Sequence, residues 1–291
     1  MTEFESKFEK AEQYFLEKKY LHALQIFQSL LEIPRLKRKA LIKLIEIYDI
    51  QNQLDSAIKV FEEYLEQSND DENMRAYYAQ FLIRHKKYSE AHDILSSIST
   101  QNRPEKNFLI GMVNYFLEDY EISVINFNEF ISQNSKSDLI AEAYLYIGKC
   151  KIKQGDLDAA LVYLEKSESI DNQNHEIYFS LALVYYLKEM YFHSLEELKK
   201  SISLDPSDVE SLELSAKILF KLGEYEKSRR DFALLLNRTE PSAEIFALLG
   251  FVCKNMKDFE SANFYFESAL KLNPSDKSVL LAVFECKSSM N

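Results

Sequence analysis

Small residues recur along this chain at a spacing that admits few folds. Ala23, Ala57, Ala91, Ser123, Ala160, Ser194, Ser228 and Ala262 are 34 residues apart, except for 32 between Ala91 and Ser123 and 37 between Ser123 and Ala160. Each follows by three residues a bulky side chain (Tyr20, Leu54, Tyr88, Tyr120, Leu157, Tyr191, Tyr225, Phe259). Each precedes by four residues another: Phe27, Phe61, Leu95, Phe127, Leu164, Leu198, Phe232 and Phe266. Spacings of three and four stripe one face of a helix. Upstream, a second small residue recurs at Ala11, Ala79, Gly111, Gly148, Ala182, Ala216 and Gly250. Ile45 departs from that set and is expected to push its two helices apart. Small residues on facing helices let the axes approach closely. The period therefore reads as a helix pair that cannot bury its apolar face alone and must stack on copies of itself.

The last copy, Ala243 to Asp276, is the clearest. It carries Phe246-x2-Leu249-Gly250-x2-Cys253, then Ala262-x3-Phe266-x2-Ala269, then Pro274. This resembles the tetratricopeptide repeat, with Cys253 where that family has Tyr. Counting back gives eight units, near 4–37, 38–71, 72–103, 104–140, 141–174, 175–208, 209–242 and 243–276. Pro34, Pro104, Pro206, Pro241 and Pro274 fall at unit junctions, and Gly155 and Gly223 fall in the turns between paired helices. Residues 277–291 read as a C-terminal capping helix, with Leu280, Val283 and Phe284 as its buried stripe and Lys277, Glu285, Lys287 and Ser288 toward water.

The resemblance implies an all-α, right-handed superhelical solenoid of antiparallel helix pairs, the first helix of each lining the concave side. It implies a non-enzymatic scaffold that holds a peptide or an amphipathic helix of a partner protein in the concave groove. A regulatory subunit of an enzyme or multiprotein assembly, and a structural protein self-associating through its ends or groove, remain open alternatives. In the family, positions two, five, six, nine and twelve of a unit face the groove. Here these include Leu145, Tyr146 and Lys149 in the fifth unit and Phe179, Leu183 and Tyr186 in the sixth. The fourth unit adds Phe108, Leu109, Met112 and Tyr115; Glu142, Glu176, Lys149 and Lys153 would rim the surface. The other reading is that these side chains pack on one another between neighbouring first helices. The family's clamp for acidic C-terminal tails is not expected. Its positions hold Phe8, Glu12, Lys43, Asn73 and Tyr77 in the first three units, and Phe179, Leu183, Leu214, Glu244 and Leu248 in the last three.

Composition excludes several classes. The net charge of −12 argues against a phosphate-backbone ligand. The only basic cluster, Pro34 to Lys39, reads as a solvated helix start. Cys150, Cys253 and Cys286 form no CxxC, and the five histidines no His-x3-His. Neither metal, cofactor nor catalytic constellation is expected. No apolar run reaches the ~18 residues of a membrane span. The acidic start MTEFESKFEK has no apolar core, so a cytoplasmic location is expected, or a periplasmic or secreted one only if a signal peptide is removed ahead of this sequence. The two irregular spacings flank the fourth unit, and polar stretches at 96–104 and 132–137 suggest a hinge around 96–138. A stiff solenoid with two longer loops is the alternative.

Overall fold

The computed structural model describes residues 3–68, 70–99, 104–134, 137–240 and 242–290. These residues form helices and turns, with no strand among them. The chain divides into two compact units, Met1–Val113 and Asn114–Asn291. The first holds α1 (Glu3–Leu16), α2 (Tyr20–Ser29), α3 (Pro34–Ile50), α4 (Leu54–Gln67), α5 (Glu72–Arg84) and α6 (Tyr88–Ser96). The division falls inside α7 (Pro104–Phe116). The second holds α8 (Tyr120–Gln133), α9 (Ile140–Lys153), α10 (Leu157–Ile170), α11 (His175–Leu187), α12 (Tyr191–Leu204), α13 (Val209–Lys221), α14 (Tyr225–Leu236), α15 (Ala243–Asn255), α16 (Phe259–Leu272) and α17 (Lys277–Met290).

Each pair is closed by the same local device. The backbone N–H of Lys19, Gln53, Lys87, Asp119, Asp156, Met190, Glu224 and Asp258 donates to the carbonyl five residues earlier at 2.8–3.0 Å. That bond ends a helix through one left-handed residue. Gly155 and Gly223 supply it in two turns; Lys18, Asn52, Lys86, Glu118, Glu189 and Lys257 adopt positive φ in the others. In three pairs the second helix then starts on a side-chain cap: Asp119, Asp156 and Asp258 each accept from the backbone N–H three residues on. Asp71 caps the start of α5 in the same way. Such caps stabilise a helix start by ~1 kcal/mol.

Packing follows the small residues. A Cβ on Gly148 would lie 2.6 Å from the Leu164 side chain, so only glycine lets α9 approach α10 this closely. α3 and α4, with Ile45 at the equivalent site, approach closely over less of their length. Serine is accepted at the small site because its hydroxyl finds a partner: Ser194 Oγ donates to the Ala182 carbonyl at 2.7 Å and Ser228 Oγ to the Ala216 carbonyl at 2.8 Å. Phe27, Phe61, Phe127, Phe232 and Phe266 are fully buried. Each contributes roughly 1.5–3 kcal/mol by leaving water.

One expectation is corrected. α17 buries Val279, Ala282 and Cys286 against Ala269 and its neighbours, with Val283 at the margin. Leu280, Leu281 and Phe284 are exposed, Phe284 by 70%. The sequence VLLAVF is apolar on almost every side, and the close approach to α16 selects its smaller face. The basic cluster starts α3, with Arg35, Arg38 and Lys39 exposed. Arg35 meets Glu5 at 3.6 Å, Arg38 meets Asp71 at 3.6 Å, and Lys37 donates to Gln67 at 2.8 Å, while Leu36 is buried.

The hinge expectation falls partly outside the described residues, at 100–103 and at 135 and 136. The stretch just before is tied down within the first unit. The Arg75 guanidinium donates to the Ser97 carbonyl, the Ser99 N–H donates to Glu72, and the buried Lys106 ammonium donates to the Ile98 carbonyl at 2.5 Å. Pro241 also lies outside the described residues.

Candidate functional site

In the second unit, α11 adjoins α9 on one side and α13 on the other. Their shared face encloses a cavity of 340 Å³. α9 contributes Lys149, Ile152 and Lys153; α11 contributes His175, Glu176, Phe179, Ser180 and Leu183. Asp208 and Glu210 close it at the start of α13, and Tyr115 lines it from the end of α7. The heptad-like spacing of Glu176, Phe179, Ser180 and Leu183 brings these four to one side of α11.

The electrostatics of this face are organised by one ion pair. Lys149 Nζ donates to Glu176 Oε2 at 2.5 Å and stands 5.4 Å from the centre of the Tyr146 ring. Tyr146 stacks on Phe127 with centroids 5.4 Å apart and meets Tyr115 edge-on at 5.3 Å. Burial, reinforced by the nearby charges of Cys150, Tyr120, Glu176 and Glu210, pushes the Tyr115 hydroxyl up to about 12. Burial also raises the Glu142 carboxyl pKa; Glu176 adds to the rise and Lys149 opposes it. His175 lies 3.5 Å from Asp208 and 3.8 Å from Asp205. Asp208 itself accepts from the Glu210 N–H at 3.0 Å and so caps α13. Among the described residues no group of three or more His, Cys, Asp or Glu is placed to hold a metal ion.

The expected groove residues separate into two sets. Lys149, Phe179 and Leu183 line the cavity, half-buried. Leu145 is 2% exposed and Phe108 5% exposed, so both are core and not free surface. Leu145 is covered by Ile177, Tyr178 and Leu181, the packing between neighbouring first helices that was the alternative reading. Met112 and Tyr146 are half-buried outside the cavity. Tyr186, like Phe179 and Leu183, packs on the cluster of Ala182, Leu198, Leu214 and Ile218, with the Lys221 ammonium 5.3 Å from its ring centre. The cavity adds His175, Asp208 and Glu210, which sequence reasoning passed over. Glu210 had a signal: it occupies the same unit position as Glu142, Glu176 and Glu244.

The first unit has a groove of its own between α1 and α3, with a volume of 630 Å³. Glu5, Glu9 and Glu12 form one wall; Arg35, Lys39 and Lys43 form the other, over Phe8, Leu36 and Ile42. Its charges partly satisfy one another, through Arg35–Glu5 and through Lys43–Glu46 at 2.7 Å.

Comparison with known proteins agrees with this architecture. Residues 50–108 and 243–276 match the family described as tetratricopeptide repeat, and residues 153–230 match the one described as anaphase-promoting complex, cyclosome, subunit 3. A Drosophila melanogaster protein described as a BBSome complex member BBS4 homolog is 22% identical over 66% of this chain and 40% of its own length. The type IV pilus assembly protein PilF of Pseudomonas aeruginosa is 27% identical over 50% of this chain and 58% of its own. The chain thus spans about half the length of such relatives. Among solved structures, the APC/C hetero-tetramer Cut9–Hcn1 aligns with a TM-score of 0.66 at 13% identity, over 95% of this chain and 54% of that one. A structure of Pseudomonas aeruginosa PilF aligns with a TM-score of 0.63 at 15% identity, over 76% and 98%. At these identities the structural likeness is one of fold.

Proposed function

Because the chain is a tetratricopeptide-repeat protein, we propose that it is a non-catalytic scaffold that holds a peptide or amphipathic helix of a partner protein on the shared face of α9, α11 and α13. The observation that carries this reading is the cavity at Phe179 and Leu183. Two large apolar side chains pack on the core from one side and stay partly exposed there beside charged groups, the composition expected of a contact surface. We take the helix pairs as eight repeats with the boundaries given above and α17 as their cap. A protein ligand is favoured over nucleic acid by the net charge of −12. No described helix is long and apolar enough to cross a membrane. The proposed compartment is the cytoplasm, in keeping with three free, buried thiols.

Site-directed photo-crosslinking in native lysate tests the reading. A benzophenone side chain in place of Leu183 is expected to capture a discrete partner. The same group in place of Phe192, exposed on α12, is not. Phe179→Ser with Leu183→Ser should abolish capture in a protein that keeps its helical circular dichroism. Equal capture from both positions, or capture that survives the double variant, would place the site elsewhere.

A second reading is favoured by α17. Leu280, Leu281 and Phe284 form an apolar strip on the exposed face of α17, which a further stacked element would bury. Self-association through this end is expected to show as a mass that rises with concentration in light scattering and falls back with Leu281→Glu plus Phe284→Glu.

A further inference from the structure

Position two of each of the last four repeats is a glutamate: Glu142, Glu176, Glu210 and Glu244. For two of them, the residue 27 positions earlier, on the preceding first helix, is a lysine that bonds across. Lys149 donates to Glu176 at 2.5 Å and Lys217 to Glu244 at 2.9 Å. Between these rungs the pattern breaks. The residue facing Glu210 is Leu183, and among the described residues the exposed Glu210 carboxylate has no ion pair. Leu183 and Glu210 line the same cavity as Phe179 and Ile152. Its other charges are mostly committed. Lys149 is held by Glu176 and Asp208 caps α13. His175 lies 3.8 Å from Asp205 and 3.5 Å from Asp208, with its buried Nδ1 making no hydrogen bond. Lys153 at the α9 end has no ion pair among the described residues.

We propose, resting on the groove reading above, that this missing rung is the specificity element. The cavity takes a peptide segment presenting a lysine or arginine beside an apolar residue. The cation occupies the place of the absent lysine on Glu210, and the apolar side chain packs on Phe179 and Leu183. A wholly apolar segment would cover an unpaired carboxylate and lose its hydration without return. A cationic one replaces that hydration with a charge-assisted hydrogen bond, bidentate for arginine. An acidic segment is repelled at the same point, so one residue supplies both attraction and rejection.

The test uses the full chain immobilised against three pools of acetylated, amidated nonapeptides. The pools are random over Ala, Leu, Phe and Ser except for a central Arg, norleucine or Glu. The Arg pool is expected to be retained about tenfold over the norleucine pool. Glu210→Gln should remove that preference, by lowering retention of the Arg pool and raising that of the norleucine pool. Leu183→Lys should restore the rung and lower Arg retention about tenfold or more, since the repeat accepts lysine at 149 and 217. Should Leu183→Lys fail to fold, Glu210→Gln alone decides. Equal retention of Arg and norleucine overturns the role of Glu210 and leaves the groove standing. Preference for the Glu pool overturns it in favour of Lys153. Retention of no pool overturns the groove reading itself.

Discussion

A Cβ on Gly250 would stand 2.5 Å from the Phe266 ring, nearer than any real side-chain contact. The ring has nowhere to retreat. It is fully buried and meets Phe251 edge-on at 5.0 Å. Gly250→Ala is therefore expected to destabilise the second unit by roughly 1–3 kcal/mol, as overpacking does. A fall in the urea midpoint at unchanged slope would register it. An unchanged midpoint would mean that α15 and α16 can separate at small cost.

The turns carry a correctable strain. Glu189 takes φ of 59° where Gly155 and Gly223 take 79° and 76°. A side chain in that region costs roughly 1–2 kcal/mol, and glycine returns part of this as unfolded-state entropy. Glu189→Gly should stabilise by about 0.5–1 kcal/mol on that balance. Gly155→Ala should destabilise by a similar amount, and purely through the backbone, since nothing lies within 4 Å of the added methyl. Paired thermal melts measure both signs.

Glu142 sets a pH dependence of defined sign. Burial, then Glu176, raises its folded pKa above the ordinary carboxylate value of 4.5. The folded state therefore holds the proton more tightly than the unfolded state does. Its contribution is fully present below the unfolded value and is lost as pH rises through the folded one. Glu142→Gln should raise the melting temperature at pH 7 and leave it nearly unchanged at pH 4. The reverse pattern would mean that Lys149 dominates at this position.

Much of the fold was legible because each pair repeats a local rule. Ala262 and Phe266 set the same contact as Ala160 and Leu164 do, so one well-marked copy reads the others. The end of the chain escaped that logic. In α17 the residues Val279 to Phe284 offer two stripes of equal spacing, and only the tight seat beside Ala269 favours Ala282 and Cys286. The site was less legible for a related reason. Leu145 and Phe179 hold the same unit position, yet Leu145 is covered by Tyr178 and Leu181 while Phe179 borders a cavity. Depth at a groove position is set by neighbours on the next helix, which a single unit's pattern does not contain. Glu210 was overlooked because each carboxylate was read alone, not as a rung lacking its lysine.

Proteolysis tests a hinge at the fourth repeat. The bonds from Arg75, Glu72 and Lys106 hold residues 97–99, and burial of Lys106 depresses its pKa below that of an ordinary ammonium. If the hinge is real, limited digestion should cut first near 96–104 or 132–138. Earlier cuts inside α9 to α16 would count against a hinge.

Thiol labelling can map how the array opens. Cys150, Cys253 and Cys286 are all buried and free. Burial pushes Cys150 up to about 11 and raises Cys253 and Cys286 as well. Cys150 also donates to Ser123 Oγ at 3.3 Å. The thiolate is the reactive form, so at pH 8 each native thiol is protected twice, by cover and by protonation. Labelling must then wait for opening, and helices stacked on both sides open more rarely than one packed on a single neighbour. α17 packs mainly on α16 and keeps Leu280, Leu281 and Phe284 in water, so Cys286 should react first. Cys253 and Cys150 should follow only as whole pairs unfold, at rates that rise together with urea. Mass spectrometry of maleimide adducts over time gives the order. Prompt labelling of Cys150 at the rate of a free thiol would show that α9 does not face Ser123 as described.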